Sequence, residues 1–509
     1  MFCTVHSAVV HGINSRLVEV EADVSDGMPS FSMVGDLSCE VREAADRVRT
    51  AIRNSQIKMP IKKITINLSP ADLRKEGSGF DLPIAVAVLA ALGYFPQRIL
   101  KRMLFVGELS LSGNVVPIQG ILPIVSAAAS FNCHTCVVPK ENAREGGIIQ
   151  GIQVIGVDSL KELIEYINNP SIIDPEFTSH MELFSKSQEW EIDFSDIRGQ
   201  EAVKRAAEVA VAGFHNLLLI GPPGSGKTMI AKRIATILPP LTLEESIELS
   251  KIYSISGLLP QESSLVVQRP FRNPHHTITY SALAGGGRNP KPGEISLAHK
   301  GVLFLDELPE FSKKTLEILR QPLEEGEIRI SRNNGIYTYP ANTMLVAAMN
   351  PCNCGYYPDL SKCSCSMQSI NRYLNKISQP LMDRLDICVE APNVPYGEMQ
   401  SKSIVESSDD IRKRVLRAHR IQKKRYMGTE TLHNADLSAR GVERYCVLEK
   451  KEKQLMEHIF TKLELSLRSY HKILKVARTI ADLAGEENIL SRHIGEAACY
   501  RTLDKKFWR

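Results

Sequence analysis

A run of apolar residues, Leu217 to Ile220, leads into Gly221, Pro222, Pro223, Gly224, Ser225, Gly226, Lys227 and Thr228, and a helical pattern follows at once. This is the Walker A spacing. Glycines at 221, 224 and 226 let the backbone curl round an anion, so that successive N–H groups and the helix N-terminus can face phosphate oxygens. Lys227 can then reach the β and γ phosphates, and the Thr228 hydroxyl can hold Mg²⁺. A glycine-rich turn that matches by accident is the competing reading, but strand, loop and helix come in the required order. A second apolar run, Val302 to Leu305, ends in Asp306 and Glu307. Two acids there suit a Walker B strand, with Asp306 in the Mg²⁺ shell and Glu307 orienting and polarising an attacking water. The chemistry expected is hydrolysis of a nucleoside triphosphate, ATP above all.

Those groups need elements to carry them, and the chain is long enough to supply several. At 509 residues it exceeds one hydrophobic core and should divide into about three domains. With 43% hydrophobic and 24% charged residues it has the composition of an ordinary globular protein, and a net charge of +4 makes no case for nucleic acid on its own. No apolar run approaches the roughly 20 residues of a membrane span, and the start at Met1 lacks the basic and apolar segments of a signal peptide. The expected location is the cytoplasm. Eleven cysteines, an odd number, argue for reduced thiols there and for a possible metal site.

Residues 1–170 alternate strand and helix signals: Leu17 to Val24 as a strand, Ser38 to Asn54 as a helix, Lys63 to Leu68 as a strand, a polar loop from Lys75 to Gly79, and an apolar helix from Leu82 to Leu92. They are expected to form an α/β domain. Residues 171–192 are a linker, marked by Asn169-Pro170 and Asp174-Pro175. Residues 193–395 hold the phosphate-binding α/β core, with a helix from the Asp196–Gln200 turn to about Gly213, a helix from Leu316 to Leu323, a hairpin over Glu327–Tyr339 turning at Asn334-Gly335, and a buried strand from Met344 that ends in Asn350. Residues 396–509 are charged and helical in pattern. Ile411 to Arg425 is a basic run that suits either a solvated face or phosphate contacts, and Ser466 to Gly485 is an amphipathic helix ended by glycine.

Cys352, Cys354, Cys363 and Cys365 form two C-x-C pairs in one short loop. Four thiolates can close a tetrahedral Zn²⁺ site that pins a loop too poor in apolar residues to hold itself. Free or redox-active thiols are the alternative. His275 and His276 are adjacent, so their side chains diverge in a regular element, and loop packing is the favoured role over metal ligation.

Two resemblances go further. The stretches Gly77 to Ala91 and Phe105 to Pro123 resemble the proteolytic domain of Lon-type proteases and the matching domain of the RadA recombination protein. Lon-type proteases use a serine activated by a lysine. Here Asp81 stands near the place of that serine and Pro123 where the lysine is expected, so the resemblance implies the fold without peptidase activity; Ser78 is a stand-in with no evident partner. The Walker motifs with the insertion between them, Phe271 to Thr277 and Ala284 to Gly301, are similar to the magnesium-chelatase-like branch of AAA+ proteins, specifically the YifB/ComM family, and with the front segment this likeness covers nearly the whole chain.

What the family pattern implies is specific. Asn350 matches sensor 1, which holds the lytic water. Arg384 matches the arginine finger supplied to a neighbouring subunit, or pairs structurally with Asp383 or Asp386. Arg468 matches the sensor 2 arginine that touches the γ phosphate from the bound subunit, with Arg478 as runner-up. Ile197 suits an adenine contact, unless its turn is only an N-cap. Arg332, and with it Arg329, matches the basic tip of a hairpin that enters a DNA-filled pore, a solvated tip being the alternative. The family implies a homo-oligomer, usually a hexameric ring, and a DNA helicase driving branch migration of incoming DNA in transformation; a metal-insertion motor and a protein-remodelling ATPase are the rivals.

Overall fold

The structure, a computed structural model, describes residues 1–179, 183–184, 190–260, 264–333, 335–395 and 405–508. Two sheets, one in each half of the chain, organise it. In the first, β1 (Phe2–His11) and β2 (Asn14–Ser25) form a long antiparallel hairpin registered from Phe2–Asp23 to His11–Asn14. Val18, Val20, Ala22 and Val24 point inward while Glu19, Glu21 and Asp23 alternate with them, the period of two expected of a strand. β3 (Ser30–Val34) and β4 (Lys63–Ser69) extend the sheet on one side. β5 (Met103–Phe105), the small hairpin β6 (Glu108–Leu109) and β7 (Val115–Val116), then β8 (Thr135–Pro139) and β9 (Gln153–Val157) follow, giving the seven-stranded order β3-β4-β2-β1-β5-β8-β9. Helix Asp81–Ala91 has every residue buried, because β1 and β2 cover it on one side and helix Ala44–Asn54 on another.

The second sheet contains β10 (Leu217–Ile220), β11 (Phe271–Arg272), β14 (Val302–Leu305), β17 (Met344–Met349) and β18 (Ile387–Glu390), in the order β11-β14-β17-β10-β18. Two hairpins branch from it, β12 (Gly285–Gly286) with β13 (Lys291–Pro292) and β15 (Glu327–Arg332) with β16 (Gly335–Pro340). All pairs within the five strands are parallel. Both faces are covered, so β10, β14 and β17 carry unbroken apolar sequence and are buried throughout. Helices Glu201–Gly213, Lys227–Ile237, Ser408–Arg425 and Leu467–Ala484 share one core with one face. Tyr337 and Tyr339 of β16 and helix Met367–Leu374 belong to the core on the other.

The two halves touch through chemistry as well as apolar surface. Ser254, near the end of helix Leu243–Ser256, donates to the buried Glu145 carboxylate at 2.5 Å, and the His11 ring at the end of β1 lies 4.4 Å from the ring of Tyr337. Among the described residues no helix is long and apolar enough to cross a membrane.

Some sequence expectations need correction. The helix expected over residues 38–54 breaks at Glu43 into Cys39–Arg42 and Ala44–Asn54. The helix expected from Leu316 to Leu323 is also two pieces, Lys313–Glu317 and Arg320–Glu325, and Pro322 lies in the first turn of the second, where a missing N–H is tolerated. The hairpin is present, although Asn334 lies outside the described residues, as does Tyr396, where the helical segment was expected to begin. The basic run falls in helix Ser408–Arg425, but it is not one solvated face. Ile411, Val415, Ala418 and Gln422 are buried, Arg414 pairs with Glu208 and Glu406, and Arg425 pairs with the buried Asp482.

Candidate active site

Strand order brings the chemistry together. β10 lies next to β17, and β17 next to β14, so the residues that follow these three strands share one rim at their C-terminal ends. In open parallel sheets that rim is where ligands bind. Gly221 leaves β10 with its N–H donated to Met349 O at 3.2 Å. A Cβ on Gly221 would stand 2.1 Å from Ala391 O, so no larger residue fits there. Gly224 and Gly226 have φ of +77° and +83°, left-handed conformations that glycine takes without strain and that turn the loop into helix Lys227–Ile237. Gln200 steadies the curl from outside, its Nε2 donating to Ser225 O at 2.9 Å and to Pro392 O at 2.6 Å.

Inside the curl, the Lys227 ammonium donates to Gly221 O and Pro222 O, each at 2.8 Å, and lies 3.2 Å from Asn350 Oδ1. Burial pushes its pKa below the usual lysine value, while the charge of Asp306 opposes that shift. A phosphate in the curl would offer this cation far better acceptors than backbone carbonyls. The Thr228 hydroxyl donates to Asp306 Oδ2 at 2.6 Å, which sets one hydroxyl and one carboxylate side by side. Hard oxygen donors of this kind fit Mg²⁺.

Glu307 has a φ of +51°, and its side chain is 60% exposed. His276 Nδ1 lies 3.2 Å from its carboxylate, and the His276 ring is 4.1 Å from that of His275. The adjacent histidines therefore pack on each other, and one of them meets the second Walker B acid. Sequence carried no signal of this pairing, because it depends on how the insertion folds back. Ile197 is only 4% exposed and belongs to the central core, so any contact with a base is limited to its edge.

The arginines lie elsewhere. The register Leu217–Ile387 puts Arg384 just before β18, at the N-terminal end of the sheet, with its carbonyl accepting from Asn216 Nδ2 at 3.0 Å. Its own Walker loop is at the other end of β10, about 13 Å of strand away. The guanidinium pairs with Glu324 and donates to Pro380 O, so the alternative partners Asp383 and Asp386 are not the ones it takes: Asp386 is held by Lys472 and by the N–H of Asn216. Arg468 stands 4.0 Å from Asp383, and both arginines line one cavity of about 580 Å³ with Asp386 and Lys475. Arg468 thereby lies with Arg384 at the end of the sheet opposite its own Walker loop. Arg478 is 3% exposed and is spent on Asp482, Glu486 O and Glu487 O.

The four cysteine sulfurs all lie within 4.8 Å of one another, with separations of 3.3, 3.4 and 3.7 Å among Cys352, Cys354 and Cys363. Four thiolates about 2.3 Å from one zinc ion would be roughly 3.8 Å apart, so this set could close round a metal after small adjustments. Within the cluster the backbone N–H of Tyr356 chiefly holds the Cys354 thiol down, while hydrogen bonds and charge from the neighbouring sulfurs push Cys363 and Cys365 up, so without a metal the four groups cannot all be thiolates at once. In the front half, Asp81 is buried and pairs with Arg47 at 2.8 Å, Pro123 lies inside helix Ile121–Ala128, and Ser78 donates to the Glu108 carboxylate. Ser78 thus has a partner that sequence did not reveal, and it is not a lysine. On the hairpin, Arg332 is exposed and reaches Gly287 O at 3.3 Å, while Arg329 is tied to Glu327 at 2.6 Å.

Known proteins are similar to this chain in sequence. The family described as "Magnesium chelatase, subunit ChlI" matches residues 193–399, "Subunit ChlI of Mg-chelatase" matches 20–142, and "Magnesium chelatase, subunit ChlI C-terminal" matches 405–501. The competence protein ComM of Haemophilus influenzae is 43% identical over 506 residues, which span 98% of this chain and 97% of that protein. The chain belongs to the ComM/YifB family of magnesium-chelatase-like AAA+ proteins. The YifB protein of Salmonella typhimurium is 42% identical over 502 residues, with 98% and 97% covered. Lon protease 2 of Herpetosiphon aurantiacus is similar over a shorter stretch, 26% identical over 168 residues, 30% of this chain and 20% of that protein. The Lon likeness expected from the front segment is therefore present in this ComM/YifB protein.

Proposed function

We propose that this ComM/YifB protein is an ATP-driven ring motor that acts on DNA, probed most directly at the rim where Lys227, Thr228, Asp306 and Asn350 converge. The observation that carries the reading is this convergence: the lysine 3.2 Å from Asn350, with the hydroxyl–carboxylate pair 2.6 Å apart, after three adjacent parallel strands. In this reading Gly221–Thr228 cradle the triphosphate, Lys227 neutralises its β and γ oxygens, and Thr228 and Asp306 hold Mg²⁺. Asn350 and Glu307 orient the water. Bound Mg²⁺ would supply charge neutralisation for the phosphoryl group. Arg384, and Arg468 beside it, serve the pocket of the next subunit, since neither can reach its own; this is why the active form is an oligomer, with a hexameric ring as the working assumption.

The domain division that goes with it is 1–170 as a Lon-like α/β domain, 171–192 as a linker, 193–395 as the ATPase core and 396–509 as the helical lid. Zinc on Cys352, Cys354, Cys363 and Cys365 holds the loop after Asn350. Arg332, exposed at a hairpin end, with Arg329 as its neighbour, contacts DNA in the pore, in the cytoplasm. One relative is named a competence protein, and we take helicase action and branch migration during recombination of incoming DNA as the setting.

The test measures ATP turnover with forked or branched DNA, single strands, tetrapyrrole-binding partners and unfolded protein in parallel. Stimulation by DNA alone is the expected result. Stimulation by tetrapyrrole partners would replace the reading with a metal-insertion motor, and by unfolded protein with a remodelling ATPase.

A further inference from the structure

We propose that the four-cysteine loop is a positioning element of the nucleotide site: metal held by its sulfurs sets Pro223 of the Walker loop and Asn350 in place, so that metal loading governs nucleotide affinity. The inference rests on the zinc reading above and goes beyond it, from a loop that is merely pinned to a loop that braces the phosphate cradle.

Contacts run from the sulfurs to the cradle by two short routes. Along the chain, Asn350 is followed by Pro351 and then Cys352, so the first sulfur ligand is two residues from the side chain that faces Lys227. Cys352 is fully buried, and its Sγ accepts from Tyr357 N at 3.5 Å. Through space, Gly355 sits directly against the Walker loop: a Cβ there would be 2.3 Å from Pro223 Cδ and 3.0 Å from Pro223 Cγ. Gly355 takes a φ of +85° and donates its N–H to Cys352 O at 3.0 Å, which makes the turn from Cys352 to Gly355, with Cys354 inside it, the surface that touches Pro223. A proline ring cannot swing aside as a flexible side chain can, so displacement of that turn is transmitted to the loop backbone.

Apolar anchoring of this segment is confined to its inner residues: Cys352 is in the core and Tyr357 meets Phe507 edge-on at 6.0 Å between ring centroids, whereas Leu360 is 74% exposed and Tyr356 is 42% exposed. On the inner side, Asn353 Nδ2 donates to Ser369 Oγ at 3.2 Å, one polar tie to helix Met367–Leu374. Cross-linking by a metal is the interaction strong enough to fix such a loop. Cys363, on the opposite side of the sulfur cluster in sequence, makes no contact with Pro223 or Asn350 among the hydrogen bonds described, so its effect on the cradle must travel through the cluster.

The experiment uses the full chain, with zinc content per chain measured by elemental analysis and affinity for a fluorescent ATP analogue measured without turnover. Cys363→Ser should lose zinc and weaken the analogue by about tenfold or more, the size seen when the support of a metal site is removed. Cys363→His, which can still ligate zinc, should restore both. Gly355→Ala leaves all four sulfurs and should keep zinc yet weaken the analogue, because its Cβ displaces Pro223; this variant carries the test if Cys363→Ser fails to fold. Wild-type protein purified without chelator and free of zinc would overturn the zinc reading and the proposal with it. Zinc present, with Cys363→Ser zinc-free and Gly355→Ala both binding the analogue as wild type does, would overturn the brace alone and leave the zinc reading standing.

Discussion

Glu307 shows how much of a site is decided by a single contact. Its carboxylate lies 3.2 Å from His276 Nδ1 and is otherwise open to solvent. To align water as proposed, Glu307 must give up this imidazole, so the contact restrains the step until it opens. His276→Ala should therefore raise ATP turnover in the absence of DNA severalfold, with little change in nucleotide affinity; steady-state kinetics would detect it, and a fall in turnover would mean that His276 supports Glu307 rather than restrains it. The residues Gly221 to Thr228, Asp306, Glu307 and Asn350 were legible in sequence because the chemistry needs those types at fixed places after strands. His276, Gln200 and Glu324 were not. Each acts on a residue far away in the chain, and nothing local in composition or spacing marks such a pairing.

At the scale of elements, the central sheet is tight where the Walker loop leaves it. A methyl group on Gly221 would strike Ala391 O, which follows β18. Gly221→Ala should cost about 3 kcal/mol, the upper part of the range for overpacking, and should abolish nucleotide binding; urea unfolding and analogue binding check the two. Helix Ser408–Arg425 offers a second test. Burial holds the pKa of His419 down at about 4, with the rings of His433 against it and Arg269 and Glu245 nearby. In the unfolded chain the same group titrates near 6.5, so the folded state refuses a proton that the unfolded state accepts. Stability is unaffected above that value and is lost as pH falls from about 6.5 to about 4, by up to about 3 kcal/mol. His419→Gln should flatten that part of the urea-midpoint profile, and an unchanged slope would contradict the assignment. Strand alternation in β2 and the apolar runs of β10, β14 and β17 were readable from period and burial. The broken helices near Glu43 and Pro322 were not, since apolar spacing continues across both breaks.

At the scale of the whole molecule, the front half meets the hairpin that carries Arg332. The His11 ring lies tilted against that of Tyr337, and a Cβ on Gly12 would stand 2.8 Å from Thr338 O. The cavity of about 400 Å³ between them is lined by Ser78 and Glu108 from the Lon-like side and by Lys291, Tyr337 and Tyr339 from the other. Ser78, the stand-in for a Lon-type serine, thus lines a cleft that the hairpins share. His11→Ala should leave basal ATP turnover near wild type and reduce its stimulation by DNA, because the hairpin loses a prop far from the phosphates. If Arg332 makes the phosphate contact proposed for it, Arg332→Ala should reduce the same stimulation and should also weaken the salt dependence of DNA binding. Contact between the halves had no signature in sequence, where each half could be recognised only by itself.

Opposite ends of one parallel sheet hold the Walker loop and the arginine pair, and in the function proposed above this separation makes the active site a shared one. The direct measurement mixes two inactive proteins, Lys227→Ala and Arg384→Ala, each first checked for assembly. Random equal mixing creates seams in which one copy contributes the intact lysine and its neighbour the intact arginine, so turnover should recover to about a quarter of wild type if the finger acts in trans. A mixture that stays as inactive as its two components, although the subunits have exchanged into common rings, would contradict the shared site.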